Sequence, residues 1–337
     1  MKAAIYQGKE KIVIQDIPKP VPKKCEALIK VKYAGICGSD LEFFKSGLWP
    51  GRGVLGHEIT GTIAKLGSEV KKWKEGDRVS IDCTLNCGKC IFCQKGYTNL
   101  CRDGGAIGLG HDGGFAEYLI APYHSLVHLP DSIPDKYGTV FDQISTDLIG
   151  LREVNFVVGN TAAVLGLGTL GQFMLQLLRV AGASKVVVVD KNPHRLEIAE
   201  RFKPDRALSK LSLHRIRKAY GKEINGADFV FECSGVPKLI NTSLDIVRRG
   251  GTIVQIGVCD SSIETHPLKY TMNHNRIQGI LGYLREDFET AVDLVARKII
   301  DPGPIVTKIV PLDDIVEEGF KEAINPETKE VKIVIEP

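Results

Sequence analysis

Val164-Leu165-Gly166-Leu167-Gly168-Thr169-Leu170-Gly171 ends an apolar run and opens a stretch of helical character, and its reading decides the fold. The pattern G-x-G-x-x-G sits where a strand becomes a helix, and Asp190 closes the next apolar run, Lys185 to Val189. Strand, glycine turn, helix and acidic strand end thus fall in the order that a dinucleotide site requires. Gly166 permits the tight turn. Gly168, with Thr169 and Leu170 after it, brings backbone N–H groups of the helix start toward a pyrophosphate, and Gly171 allows helix and strand to pack closely. Asp190 can accept hydrogen bonds from the adenosine ribose hydroxyls. A 2′-phosphate there would meet like charge, which favours NAD over NADP, while Lys191 and Arg195 nearby pull the other way.

Outward from this motif, residues after about 143 alternate continuous apolar strands with helical stretches. The strands are Ala162–Leu165, Lys185–Val189, Phe229–Phe231, Thr252–Ile256 and Ile277–Leu281, with Arg206–Ser209 as a sixth. Strands without polar alternation are buried on both faces, and crossover helices between them imply a doubly wound parallel sheet. Before residue 140 the pattern is different. Lys11–Gln15, Ala27–Val31, Gly61–Lys65, Asp77–Ile81 and Ala116–Ile120 are short, half-buried strands separated by Gly, Pro and Asp turns. An amphipathic helix over Asp287–Lys298 and a tail strand at Lys332-Ile333-Val334-Ile335 match the first part in character. The expected organisation is an α/β chain with a mostly-β domain over 1–142, rejoined by 283–337, and a dinucleotide-binding domain over 143–282.

A chain of 337 residues exceeds what one core usually organises, which agrees with two domains. Its 44 Lys plus Arg against 41 Asp plus Glu are mixed along the sequence, so the charge makes no case for nucleic acid or a membrane surface. The longest apolar stretch is interrupted by the glycine turn, so no transmembrane span is expected. No secretory leader is visible after Met1, and the expected location is cytoplasmic.

Five of nine cysteines lie between Cys83 and Cys101. Cys87, Cys90, Cys93 and Cys101 supply four thiolates with two successive C-x-x-C steps, which suits tetrahedral zinc with no open position and hence a structural role. Cys83 lies just outside the quartet, and Cys25, Cys233 and Cys259 read as small core residues. A second donor set comes from two glycine-flanked turns, Gly35-Ile36-Cys37-Gly38-Ser39-Asp40 and Gly56-His57-Glu58. Thiolate, imidazole and carboxylate suit a zinc that keeps a position for chemistry, with Asp40 supporting the imidazole. Taken alone, these short signals fit ordinary turn residues equally well. His111, His124, His128, His194, His214, His266 and His274 have no such company and read as surface or structural.

Together these residues resemble the zinc-containing medium-chain dehydrogenases, the group of alcohol, polyol, threonine and glucose dehydrogenases. The run Gly56-His57-Glu58-Ile59-Thr60-Gly61, continuing to Gly67 and Val70, resembles the family's zinc signature, and the four-cysteine lobe and glycine motif follow in the family's order. The resemblance implies a GroES-like first domain, a Rossmann second domain, a catalytic zinc in the cleft between them and a C-terminus that rejoins the first. It implies Cys37 and His57 as zinc ligands, Glu58 as the glutamate that approaches the metal, and Asp142 at the third-ligand position. It also implies that Thr146, Leu170, Ile256, Val258 and Leu281 shape the nicotinamide pocket; Trp49 and Cys83 are candidates for the substrate side, and a Trp after a glycine turn fits a lid or interface residue equally well. Ser39 would take the substrate's hydroxyl proton, and Glu42 stands where many relatives carry the histidine that ends the proton relay. That glutamate, with Asp142, is similar to some glucose dehydrogenases, whereas Gly279–Tyr283 and Arg285–Phe288 are more similar to polyol or alcohol members.

The implied protein carries two zinc ions per chain and NAD, oxidises a secondary alcohol, polyol or sugar derivative, and forms a homo-oligomer, dimer or tetramer. An aldose 1-dehydrogenase is the alternative within enzymes. A non-enzymatic NAD-binding protein is the alternative outside them, and Cys37, Ser39, His57 and Glu58 count against it, because a binding protein has no use for an open metal position.

Overall fold

The computed structural model describes residues 1–47, 53–221, 223–259 and 261–337. Trp49 lies outside the described residues. The chain divides into two units, Met1–Asp142 with Gly282–Pro337, and Gln143–Leu281.

The second unit is a six-stranded parallel sheet in the order Arg206–Leu208, Lys185–Val189, Thr161–Leu165, Ala227–Glu232, Val247–Gln255 and Arg276–Gly279. The order reverses beside the first strand, so the crevice for a ligand opens at its carboxyl end. Val186, Val187 and Val188 are all fully buried, which is why these runs show no polar alternation. One face of the sheet packs on Met174, Leu175 and Leu178 of the helix Thr169–Val180, the other on Ile216, Tyr220 and Leu244. The last strand departs from the expectation of full burial. It is an edge strand with one neighbour whose Ile277 is 54% exposed, and it ends at Gly279, so Leu281, 68% exposed, lies beyond it.

The first unit is built around the long strand Glu26–Gly35. One side pairs along its length with Glu58–Leu66. The other side is shared: Glu26 to Lys30 pair with Tyr118–Pro122, while Ala34 and Gly35 pair with the tail strand Lys332–Glu336. A three-stranded sheet of Lys2–Gly8, Lys11–Asp16 and Gly53–Val54, and a small one near the cysteine lobe, complete the β structure. The amphipathic helix runs over Arg285–Ala296 and buries Phe288, Ala291, Val292 and Val295. Cys233 is buried, but Cys25 is exposed and its thiol reaches Glu69 at 3.3 Å, so it is not a core residue. It lies in the turn before its strand, where alternation no longer dictates burial. Cys259 is half-buried. Among the described residues no helix is long and apolar enough to cross a membrane.

Candidate active site

Four sulfur atoms, those of Cys87, Cys90, Cys93 and Cys101, lie within 4.8 Å of one another, and none is in a disulfide. The Cys90 sulfur is 3.5 Å from that of Cys93 and 3.8 Å from that of Cys101. A zinc–thiolate tetrahedron with bonds of about 2.3 Å has edges of about 3.8 Å, so the lobe fits the ion. Its backbone favours thiolates: the Cys87 N–H donates to the Cys101 sulfur and the Cys90 N–H to the Cys87 sulfur, each at 3.3 Å. Backbone donors, first from Cys93 and then from Arg102, pull the Cys90 thiol down to about 6. Cys83 is not part of this set.

The second cluster is assembled from distant parts of the first unit. Cys37 caps the helix Gly38–Ser46, His57 precedes and Glu58 begins the strand Glu58–Leu66, and Asp142 lies on the first turn of the helix Phe141–Glu153. Their donor atoms lie within 4.8 Å of one another. His57 and Glu58 are buried, and burial raises the carboxyl of Asp142. Burial alone would lower the basicity of His57, but the Cys37 thiolate and the Asp40 carboxylate outweigh it and hold the imidazole well above its ordinary value. The same field favours a metal cation in the proton's place, since ligation takes the neutral imidazole. With sulfur, nitrogen and carboxylate donors converging, the residues fit zinc.

Asp40 is fully buried, and burial raises its carboxyl to about 6. One oxygen accepts the Cys37 backbone N–H at 2.9 Å, closing the turn that presents the thiolate. The other faces His57 Nδ1 at 3.7 Å, a distance for charge attraction rather than a hydrogen bond. Ser39 is half-buried on the first turn of the helix. Glu42 points its carboxylate at Lys45, 2.5 Å away. The other seven histidines are exposed or half-buried.

Two residues here escaped sequence reasoning. Lys332, on the tail strand, is buried and ion-paired with Glu58, and its ammonium also donates to the Ile36 carbonyl at 3.0 Å. Gly35 makes room for that pair, because a Cβ there would strike the Glu58 carboxylate and lie 2.7 Å from Lys332 Cε. Tyr283 is buried and its hydroxyl lies 3.4 Å from the Cys83 sulfur, which in turn reaches the Asp142 carboxylate at 3.6 Å. Tyr283 also hydrogen-bonds Asp142 directly, which favours the ionised carboxylate. A lysine opening an apolar strand and a tyrosine after two glycine steps carry no local signal of these partners.

The glycine turn of the second unit has the geometry its residues require. Gly166 takes φ +88°, and a Cβ there would lie 2.7 Å from Ser234 Cβ. A Cβ on Gly171 would collide with the Gly166 carbonyl. Gly168 is different: a Cβ would meet nothing within 4 Å, so the missing side chain leaves open space at the helix start. That cradle fits a pyrophosphate. The Asp190 carboxylate accepts the Leu167 N–H at 2.6 Å and the Asn192 N–H at 2.8 Å, bracing the turn while each oxygen keeps a further lone pair. Leu170 is half-buried and Ile256 buried, whereas Val258 and Leu281 are exposed; Thr146 and Arg195 are half-buried and Lys191 exposed.

Comparison with known proteins identifies the family. Residues 23–131 match the alcohol dehydrogenase GroES-like domain, and residues 169–297 match the zinc-binding dehydrogenase domain. The chain is 34% identical over 330 residues to an L-threonine 3-dehydrogenase of Shewanella baltica, covering 95% of each. It superposes with a TM-score of 0.89 on 2R,3R-butanediol dehydrogenase from Bacillus subtilis, at 29% identity over 100% of this chain and 99% of that one. With a zinc-binding dehydrogenase from Sinorhizobium meliloti bound to NADP, the TM-score is 0.90 at 29% identity, again over 100% and 99%. The likeness runs through nearly the whole chain, and the protein belongs to the zinc-containing medium-chain alcohol and polyol dehydrogenase family.

Proposed function

We propose that the chain is an NAD-preferring dehydrogenase of small secondary alcohols with two zinc ions, a catalytic one at Cys37, His57 and Asp142 beside Glu58, and a structural one in the four-cysteine lobe. Residues 1–142 and 283–337 form the metal-bearing domain and 143–282 the dinucleotide domain. The observation that carries this reading is the convergence of thiolate, imidazole and two carboxylates within 4.8 Å. When bound, zinc supplies Lewis-acid polarisation of an alcohol oxygen and the dinucleotide accepts the hydride.

The protein's own residues prepare that chemistry. Asp40 fixes the Cys37 turn, and Lys332 holds Glu58 by one oxygen, which leaves Asp142 as the carboxylate of the direct ligand set. Ser39 accepts the substrate's hydroxyl proton as it donates its own outward. Because Lys45 engages Glu42, that proton leaves through solvent rather than through the glutamate. At the glycine turn, Gly168 admits the pyrophosphate, and Asp190 uses its remaining lone pairs for ribose hydroxyls. Thr146, Leu170, Ile256, Val258 and Leu281 are assigned to the nicotinamide side.

The relatives narrow the substrate class. L-Threonine oxidised at carbon 3 and 2R,3R-butanediol are both secondary alcohols with a polar group on the neighbouring carbon. We assign this chain the same class, ahead of aldoses. The edge strand Arg276–Gly279, with Ile277 exposed, supports a homo-oligomer, dimer or tetramer, and nine cysteines without a disulfide among them suit the reducing cytoplasm.

The test is metal analysis together with reduced-nicotinamide absorbance on vicinal diols, threonine, polyols and aldoses, with NAD and NADP. Two zinc ions and NAD-linked turnover of a vicinal diol or amino alcohol are expected. A lactone product would move the assignment to the aldose enzymes, and equal efficiency with NADP would show that Lys191 and Arg195 outweigh Asp190. On chelator titration, Asp142→Ala should lose zinc, while Glu58→Ala should keep it and lose rate. The opposite pattern would exchange their roles.

A further inference from the structure

Glu232 ends the strand Ala227–Glu232 and is fully buried. One carboxylate oxygen accepts the Ser234 N–H at 3.0 Å and the Ser234 hydroxyl, and the other accepts the Gly235 N–H and the Gln255 side-chain amide, each at 2.9 Å. These donors fill the lone pairs of the carboxylate. Gln255 in turn donates to the Gly257 carbonyl at 2.6 Å, and the Glu232 backbone carbonyl accepts the Ile256 and Gly257 N–H groups at 2.9 and 2.8 Å. The segments 233–236 and 256–258, which follow neighbouring strands, are thus fastened to each other through one residue. They lie in contact, since a Cβ on Gly235 would strike the Val258 carbonyl.

This fastening stands on the ligand side of the sheet. The strand order reverses between Thr161–Leu165 and Ala227–Glu232, and a doubly wound sheet binds its ligand beyond the carboxyl ends of the strands at that place. The glycine turn follows the first of these strands and residues 233–236 follow the second, so the two segments wall the crevice. They touch. A Cβ on Gly166 would lie 2.7 Å from Ser234 Cβ, and the Cys233 N–H donates to the Leu165 carbonyl at 2.9 Å. Asp190 follows Lys185–Val189, the neighbour on the far side of Thr161–Leu165. With the adenosine half at Asp190, the pyrophosphate and the nicotinamide half run past the wall that Glu232 fastens.

We propose that Glu232 is a positioning residue for the dinucleotide, one that never touches it but holds Ser234 and the two segments in the shape that receives the nicotinamide half; the inference rests on the dinucleotide reading of the glycine turn. Its oxygens are sealed and fully used, so it acts through its neighbours. It orients the Ser234 hydroxyl, which also accepts the Val236 N–H at 3.1 Å, and so keeps that residue against Gly166. An amide in place of the carboxylate has one oxygen for these donors and turns an NH2 group toward N–H groups, so the segments lose their common anchor.

Calorimetric titration of the full-length wild type, Glu232→Gln and Gln255→Met with NADH and with AMP tests this, each protein being titrated well below its own melting temperature. Glu232→Gln should bind NADH roughly tenfold or more weakly, the scale of hydrogen bonds to a charged group, and Gln255→Met, which removes one donor and leaves the other three, several-fold more weakly. AMP, which carries only the adenosine half and one phosphate, should bind all three proteins alike. That difference between ligands is what a merely structural role would not produce. A lower melting temperature with unchanged NADH affinity in both variants overturns the proposal, as does an equal loss for NADH and AMP. If Glu232→Gln does not fold, Gln255→Met decides by the same criteria. A wild type that binds neither ligand would instead refute the dinucleotide reading itself.

Discussion

The four-cysteine lobe and the Cys37 cluster offer similar donors by opposite routes. The lobe draws every thiolate from fifteen consecutive residues, Cys87 to Cys101, and its own backbone N–H groups orient the sulfurs. The cluster draws on residues 37, 57, 58 and 142, and its outer support comes from residues 283 and 332, so it exists only when the sheet around Glu26–Gly35 has formed. The lobe is a local structure whose four sulfurs lie close enough together to share one metal ion. The cluster is a product of the tertiary fold, and its environment is tuned by burial and by distant charges.

The comparison breaks most visibly under ligand removal. Cys37→Ala should lower turnover by more than about 100-fold, since even the residues that merely orient a metal ligand are worth about 10- to 100-fold. Its far-ultraviolet circular dichroism and lobe zinc should be unchanged. Cys90→Ser should do the reverse, costing the lobe its metal and making residues 87–101 sensitive to protease, because a closed thiolate site contributes its binding energy to folding. Paired metal analysis and limited proteolysis check both. Active Cys37→Ala protein, or Cys90→Ser protein with an intact lobe, would erase the distinction.

Next in size is the tail. Lys332 and Glu58 are 1% and 2% exposed, so losing one charge strands the other in a dry interior. Lys332→Met should therefore cost roughly 3–5 kcal/mol of unfolding free energy, read from urea denaturation. The double variant Lys332→Met with Glu58→Gln should recover much of that loss, as removal of both charges leaves none unpaired. A single variant as stable as wild type would mean that water or another cation reaches Glu58, and the cluster would be less dependent on the tail than its geometry indicates.

Legibility follows the same division. The glycine turn could be read because strand, turn and helix are contiguous and each glycine has a steric reason, and the parallel sheet because double burial leaves unbroken apolar runs such as Val186 to Val189. The cysteine lobe was equally contiguous. The resemblance brought Cys37, His57, Glu58 and Asp142 together on paper, and the fold does bring their donor atoms together. Lys332 could not be read, because its burial depends on which strand the tail joins: Val334 pairs with Gly35 and Ile335 with Ala34, and that register carries the lysine to Glu58. The edge strand misled for a related reason, since the apolar run Ile277–Leu281 suggested a buried strand, whereas the strand is Arg276–Gly279 and only sheet order reveals that one side is open. Asp40 was expected to support the His57 ring, yet its hydrogen bond goes from one oxygen to the Cys37 backbone, a choice set by helix capping, while the other oxygen faces the ring from 3.7 Å.

The smallest expected effect separates support of a ligand from the ligand itself. Tyr283 is buried against Phe288, with ring centroids 5.6 Å apart, and its hydroxyl meets both the Cys83 sulfur and the Asp142 carboxylate. Tyr283→Phe keeps the ring and the packing and removes only this donor. The direct cost to stability should be about 1 kcal/mol, the net value of one hydrogen bond. Asp142, however, loses the donor that favours its ionised form while burial continues to raise its carboxyl. The carboxylate should then hold metal less firmly, by about 10-fold or somewhat more, as expected for a residue that orients a metal ligand. Competition with a chelator measures this directly, and the lobe's thiolates serve as the internal reference because Tyr283 does not touch them. If Tyr283→Phe releases zinc from the lobe and the cluster alike, the two sites are not independent. If it releases zinc from neither while melting about as predicted, Tyr283 is a packing residue, and Asp142 is oriented by the start of its own helix rather than by the distant tyrosine.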